Sequence, residues 1–335
     1  MKAGDSHNER DSWRGRNVLV TGATGFVGRW LVRALLNLGA APIVLLRDMT
    51  SEKLEEVFQS EGHSPVKVVL GDICNLRTVS RAFSEYEVEV CYHLAAQTIV
   101  GTAKRSPMTT FESNVRGTWN LLEGARRSEM CRLFVLASTD KVYGEPQRVP
   151  ISEDHPLLGV FPYDCSKVCA ELVAGSFLRT YGLDITITRC SNIYGGGDTS
   201  FSRIVPGTMR SVVLGHEPEI RGDGNAVRDF LYIEDAIAAF LAIVNSYEKA
   251  NLKGEAVNLG TATPTTIMDL VRKIIDLSGK RFLTAKVLGL HQSEIRNQYL
   301  DSSKAKNRLG WEPKVSLMDG LTKTWNWYAT TVGKT

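Results

Sequence analysis

NVLVTGATGFVGRWLVRALLNLG, residues 17–39, decides the fold. Its first five residues are rich in β-branched and large apolar side chains, as in a buried strand, and the glycines at 22, 25 and 28 follow at once. An apolar pattern at helical spacing then runs to Gly39, which is placed to end the helix. In a strand–turn–helix of this kind Gly22 allows the tight turn and Gly25 lets the backbone approach a pyrophosphate. Gly28 lets helix and strand pack closely, and the helix N-terminus turns its free N–H groups toward phosphate. The stretch reads as a dinucleotide site.

Further runs of strand length follow: PIVLL (42–46), VKVVL (66–70), VEVCYHLA (88–95) and CRLFVLAS (131–138). Helical patterns lie between them, in SEKLEEVFQ with Ser51 as its cap and in MTTFESNVRGTWNLLEGARR. This alternation specifies an α/β chain with a Rossmann-type doubly wound parallel sheet. Residues 1–12 are polar and read as a disordered tail, 13–190 as the NAD(P)-binding domain and 191–335 as a smaller, loop-rich substrate-binding lobe, with segments returning to the sheet. Such a lobe would close over the carboxyl ends of the strands, where open α/β sheets bind ligands.

The 335 residues carry a formal net charge of +3, without a basic run, which argues against a nucleic-acid partner. The most apolar stretch, LVRALLNLGAAPIVLLR, is broken by Arg33, Gly39 and Pro42, so no membrane span is expected. Without a signal peptide the expected location is the cytoplasm. Six cysteines form no CxxC, and Cys165 with Cys169 would make a poor metal site, so reduced, mostly buried thiols and no metal are expected.

Asp48, twenty residues beyond Gly28, is placed to accept hydrogen bonds from a ribose and to repel a 2′-phosphate. Arg47 beside it could bind that phosphate, so NAD is favoured and NADP is the alternative. Asp72, after the third strand, could meet the adenine edge or serve as an ordinary turn aspartate. Tyr163 and Lys167 in YDCSK lie one helical turn apart. A nearby ammonium favours the phenolate, lowering a tyrosine pKa from ~10 and making Tyr163 a general base for an alcohol. His93 reads as a satisfied core histidine, and Trp30, Trp119 and Trp311 as packing residues.

TGATGFVG, GDI, HLAA, STDKVYG, YDCSK, RCSNIYG, GDGNAVRDFLYIEDA and RLGWEP together resemble the extended short-chain dehydrogenase/reductase family, and within it the nucleotide-sugar epimerases and dehydratases. The likeness runs from Trp13 to Tyr328. It implies a tightly held nicotinamide cofactor, a nucleoside-diphosphate sugar substrate and a homodimer built on two helices per subunit. It further implies cofactor contacts from Thr24, Phe26, Val27, Ile73, Ala95, Ala96, Gln97 and Asn114, besides Tyr163 and Lys167. Substrate contacts fall to Ser138, Asn192, Arg203 and Arg228.

In this family a hydroxyl residue followed by an acid and a base marks the 4,6-dehydratases. Thr139-Asp140-Lys141 matches that order, in the Asp-Lys version that CDP-glucose 4,6-dehydratases resemble. The implied roles are a hydrogen bond from Thr139 to the sugar O4, proton removal at C5 by Lys141, and protonation of the departing 6-hydroxyl by Asp140. GDGNAVRDF departs from the CDP-glucose pattern. A 4-epimerase is the alternative, a non-catalytic NAD(P)-sensing regulator is a remote one, and a surface Asp-Lys ion pair is the bland reading of the motif.

Overall fold

The computed structural model describes residues 12–48, 66–290 and 295–333. Most of the expected tail and the Ser51-capped helix lie outside these residues.

The chain divides into two compact units. The first comprises residues 1–142, 157–189 and 240–257, and the second residues 143–156, 190–239 and 258–335. In the first, among the described residues, runs a seven-stranded sheet. Its strands include β1 (Asn17–Thr21), β2 (Ala41–Leu46), β3 (Lys67–Leu70), β4 (Val90–His93), β5 (Leu133–Thr139) and β6 (Ile185–Cys190). The order is Ala256–Leu259, β6, β5, β4, β1, β2, β3. The pairings from β3 through β2, β1 and β4 to β5 are all parallel. The strand order reverses between β1 and β4, which places a ligand crevice at the carboxyl ends of those strands. Leu19, Ile43, Val69, Phe83, Leu121, Phe134 and Ile187 belong to one buried cluster beneath it.

The apolar run 88–95 forms a strand only over Val90–His93. MTTFESNVRGTWNLLEGARR is not one helix. It is an α-helix Pro107–Phe111, a π-helical turn Glu112–Arg116 and an α-helix Gly117–Arg127. The wider turn carries Asn114, and π-turns of this kind gather at functional positions.

In the second unit the helices Ile204–Val213, Ile267–Ser278 and Leu317–Thr331 pack on one another. Short strands complete it: Asn192–Tyr194 runs parallel to Phe230–Tyr232, and Val227–Arg228 lies between Thr265–Thr266 and Asn297–Gln298. Asp229, buried here, accepts from Thr261 N–H, Thr261 Oγ1 and Ala262 N–H and so fixes the loop beyond residue 260.

All six cysteines are free, but only Cys91 and Cys190 are buried. The others lie half-buried, Cys74 in a turn, Cys131 just before β5 and Cys165 and Cys169 on a helix, so the expectation of mostly buried thiols is corrected. Trp311 packs as expected, with its indole N–H donating to Asp235 O at 3.1 Å. Trp119 does not: it is 43% exposed on the outer face of its helix. No helix among the described residues is long and apolar enough to cross a membrane.

Candidate active site

The glycine turn after β1 is built for a close approach. Gly22 has φ +70, and a Cβ there would stand 2.8 Å from Ala95 N. A Cβ on Gly28 would stand 2.7 Å from Ala23 Cα, so only glycine lets the helix Phe26–Asn37 sit this close to its strand. Gly25 is the N-cap of that helix, without a capping side chain; Thr24 lies in the turn before it, and Phe26 and Val27 open the helix. This bare helix N-terminus fits a pyrophosphate. Arg47 Nε donates to Asp48 Oδ2 at 2.7 Å, so the two residues weighed for the ribose are paired with each other. Asp72 Oδ1 accepts from Cys74 N–H at 2.8 Å, an aspartate turn that sets the backbone of Ile73.

The loop after β4 is pinned from two sides. Thr21 Oγ1 accepts from Ala95 N–H at 3.2 Å. Asn114 Oδ1 accepts from Gln97 N–H at 2.7 Å, and its Nδ2 donates to Gln97 O at 3.1 Å, which holds the segment containing Ala96. The same Nδ2 donates to Ser166 Oγ at 2.8 Å, tying the π-helical turn to the helix Pro162–Tyr181. His93 bridges Thr21 and Thr118 through its two ring nitrogens at 2.9 and 3.0 Å. Burial, helped by the Lys167 charge, pulls it down to about 3, so it stays a neutral core histidine.

Pro162, with its fixed φ, opens the helix that carries Tyr163 and Lys167. Both are buried, at 8% and 5% exposure. Lys167 Nζ donates to Ala137 O at 2.8 Å, which anchors the ammonium beside β5 and one helical turn from the tyrosine. β5 ends at Thr139 and runs directly into a 3₁₀ turn, Asp140–Tyr143. Thr139 Oγ1 donates to Asp140 Oδ1 at 3.1 Å and accepts from Lys141 N–H at 3.3 Å. Lys141 Nζ donates to Asp140 Oδ2 at 3.2 Å. The Asp140 side chain is 3% exposed and that of Lys141 20%, so the pair is not the solvated surface pair of the bland reading.

Ser138 lies elsewhere. Its hydroxyl donates to Glu171 Oε1 at 2.5 Å, and Glu171 is paired with Arg189 Nη2 at 2.7 Å, both carboxylate and guanidinium being buried. In the second unit, Asn192 Nδ2 donates to Asp229 O, Arg203 Nη1 pairs with Asp198 Oδ2 at 2.9 Å, and Arg228 Nη1 donates to Val227 O at 2.8 Å.

Sequence reasoning passed over three residues. Ser166 joins Asn114 to the Tyr163 carbonyl. Glu171 binds β5 and β6 through Ser138 and Arg189. Asp164, 4% exposed in the first helical turn, is pushed by burial up to about 6. A carboxylate beside the candidate base was visible in YDCSK as a signal for the last.

A family model described as GDP-mannose 4,6 dehydratase matches residues 19–324. A putative UDP-glucose 4-epimerase of Methanocaldococcus jannaschii is 30% identical over 92% of this chain and 97% of its own. The dTDP-glucose 4,6-dehydratase of Streptomyces antibioticus is 33% identical over 93% and 92%. The structure of the Streptomyces venezuelae dTDP-glucose 4,6-dehydratase DesIV, solved with NAD bound, superposes with a TM-score of 0.86 at 29% identity, covering 95% and 98% of the two chains. With a family match across most of its length and relatives of both kinds, the chain belongs to the extended short-chain dehydrogenase/reductase family of NAD-dependent nucleotide-sugar dehydratases and epimerases.

Proposed function

We propose that the protein is a nucleotide-sugar 4,6-dehydratase, converting a nucleoside-diphosphate hexose to its 4-keto-6-deoxy form with NAD. The observation that carries this reading is the buried Asp140–Lys141 pair, at 3.2 Å beside Thr139 and directly after β5. An epimerase needs no acid–base pair there, whereas water elimination needs an acid and a base on neighbouring carbons.

Held at the glycine turn after β1, the nicotinamide cofactor would supply a reversible two-electron oxidant, taking the C4 hydride and giving it back at C6. Tyr163 takes the proton of the 4-hydroxyl, with the Lys167 ammonium favouring its phenolate and Thr139 hydrogen-bonding the same oxygen. The ketone at C4 makes the C5 proton acidic. Lys141 must then be a neutral amine and Asp140 a carboxylic acid. One proton moved from Nζ to Oδ2 along their hydrogen bond creates both forms at once. Exclusion of water favours that shift, because burial penalises both charges. Lys141 removes the C5 proton and Asp140 protonates the leaving 6-hydroxyl, which restores the ion pair; the Lys141 ammonium then returns a proton to C5 as C6 is reduced, giving the 4-keto-6-deoxy sugar.

The Asp-Lys order supports CDP-glucose as the first substrate to test. Asp48, Asp72 and the glycine turn are assigned to the cofactor, and Asn192, Arg203 and Arg228 to the nucleoside diphosphate, whose oxygens suit guanidinium forks. Exposed apolar side chains at Met108, Trp119 and Leu172, on the helical run from Pro107 to Arg127 and on the helix Pro162–Tyr181, support a homodimer.

Lys141→Met tests the assignment. The variant given substrate should form reduced nicotinamide and the 4-keto sugar, while solvent deuterium enters C5 about two to four orders of magnitude more slowly, the usual contribution of a positioned base. Asp140→Asn should exchange C5 and stall at loss of the 6-hydroxyl. Formation of 6-deoxy-4-keto product by Lys141→Met at the wild-type rate would remove the lysine from the mechanism.

A further inference from the structure

Thr21, His93, Thr118, Asn114 and Ser166 carry polar side chains at 1% exposure or less. None of them moves a proton or a hydride in the proposed mechanism. They come from β1, β4, the helix Gly117–Arg127, the π-helical turn and the helix Pro162–Tyr181. A buried polar group is costly without a partner, so the bonds among these five decide how their elements seat together.

The bonds run in one direction. Ala95 N–H donates to Thr21 Oγ1 at 3.2 Å. Asn114 O can only accept, so Thr118 gives it the hydroxyl proton, at 2.6 Å. Thr118 Oγ1 must then accept from His93 at 3.0 Å, which puts the ring proton on Nε2. Burial holds the ring neutral, so Nδ1 accepts the Thr21 hydroxyl proton at 2.9 Å. One tautomer satisfies every member. The Asn114 side chain carries the chain onward, clamping the Gln97 N–H and carbonyl and donating from Nδ2 to Ser166 Oγ at 2.8 Å. Ser166 Oγ passes its own proton to Tyr163 O at 2.7 Å. The loop Ala95–Gln97 is thus held at both ends by a network whose last bond reaches the backbone of Tyr163.

We propose that Ser166, the last link of this chain, is a positioning residue that ties the cofactor loop to Tyr163 and fixes the phenol relative to the nicotinamide during hydride transfer. Lys167 Nζ, bonded to Ala137 O at 2.8 Å, anchors the same helical turn to β5, and Ser166 anchors it to the loop after β4. Hydride transfer depends steeply on such alignment, a displacement of about 1 Å costing about a hundredfold. Without the Ser166 hydroxyl, Asn114 keeps both bonds to Gln97, so the cofactor loop stays clamped while the tyrosine loses its tie. The inference rests on Tyr163 as the base for C4 oxidation, a step that dehydration and epimerisation would share. It needs neither Asp140 nor Lys141.

The test has one arm without sugar and one with it. In NAD-loaded wild-type protein with 15N-labelled histidine, one ring should stay neutral from about pH 8 to 5 and carry its proton on Nε2. A proton on Nδ1, or titration of every ring in that range, breaks the chain and overturns the proposal. In the second arm CDP-, dTDP-, UDP- and GDP-linked hexoses are added, and reduced nicotinamide is followed per bound NAD in a single turnover. Ser166→Ala should slow its formation about 10- to 100-fold at saturating sugar, with NAD retention and the half-saturating sugar concentration within about twofold of wild type. Ser166→Thr restores the hydroxyl and should recover most of the rate. Ser166→Cys, which keeps the volume and weakens the bond, reads the same step if Ser166→Ala does not fold. A serine that only supports the fold would lower the amount of NAD-loaded protein and leave the rate per loaded site unchanged, and that result overturns the proposal. Tyr163→Phe run beside it separates the two readings. Reduced nicotinamide formed at the wild-type rate in Tyr163→Phe would fail the base assignment; its loss there with an unchanged rate in Ser166→Ala would fail this inference alone.

Discussion

Arg47 and Asp48 stand side by side after β2 and form a 2.7 Å ion pair with each other. Both side chains are largely exposed, so the pair contributes little stability. On the proposed cofactor assignment its effect is on selectivity, because Asp48 would occupy the guanidinium that could otherwise bind a 2′-phosphate. Asp48→Ala should therefore lower the ratio of NAD to NADP affinity, with most of the change in tighter NADP binding. Equal ratios in variant and wild type, measured by titration with both cofactors, would show that neither side chain reaches the ribose. Spacing from the glycine turn was enough to single out Asp48 beyond β2, and STDK was enough to single out the adjacent Asp140 and Lys141, whose 3.2 Å contact the fold shows. The partner of Ser138 was not legible. Its bond to Glu171 exists only because β5 and the helix Pro162–Tyr181 meet, a tertiary fact that no local pattern carries.

The helix Pro162–Tyr181 carries the proposed base Tyr163, Lys167 and Glu171 along one side, at every fourth residue. Glu171 extends that row into structure, because it faces Arg189 of β6 in the buried interior. Glu171→Gln keeps the shape and removes the charge, stranding the Arg189 guanidinium, so it should cost about 3–5 kcal/mol. Arg189→Met in addition should recover much of that loss. A urea midpoint unchanged in Glu171→Gln would mean that the pair does not hold the helix on the sheet. The strands and this helix follow from apolar runs and caps. The π-helical turn at Glu112–Arg116 does not, because helical spacing reads straight through it. Asn114, fastened to Gln97 and Ser166, marks where tertiary bonds sit on the wider turn.

Across the molecule the two units differ in how far sequence alone carries. The first is built from strands and helices in alternation, and its parallel pairings follow from that order. The second depends on two-residue strands and on loops gathered by the buried Asp229 carboxylate, contacts that join residues far apart in the chain. Asn192, Arg203 and Arg228, the residues proposed for the nucleoside diphosphate, stand in that unit, so the substrate's nucleotide is where sequence reading reaches least. On the proposed dehydratase reading, the Asp140–Lys141 pair of the first unit sets the type of reaction whichever nucleobase the substrate carries. The direct test is mass spectrometry of the products formed by NAD-loaded protein from CDP-, dTDP-, UDP- and GDP-linked hexoses. A product lighter by one water, carrying a 4-keto-6-deoxy sugar, is the predicted result; a product of unchanged mass with inverted configuration at C4 would contradict it.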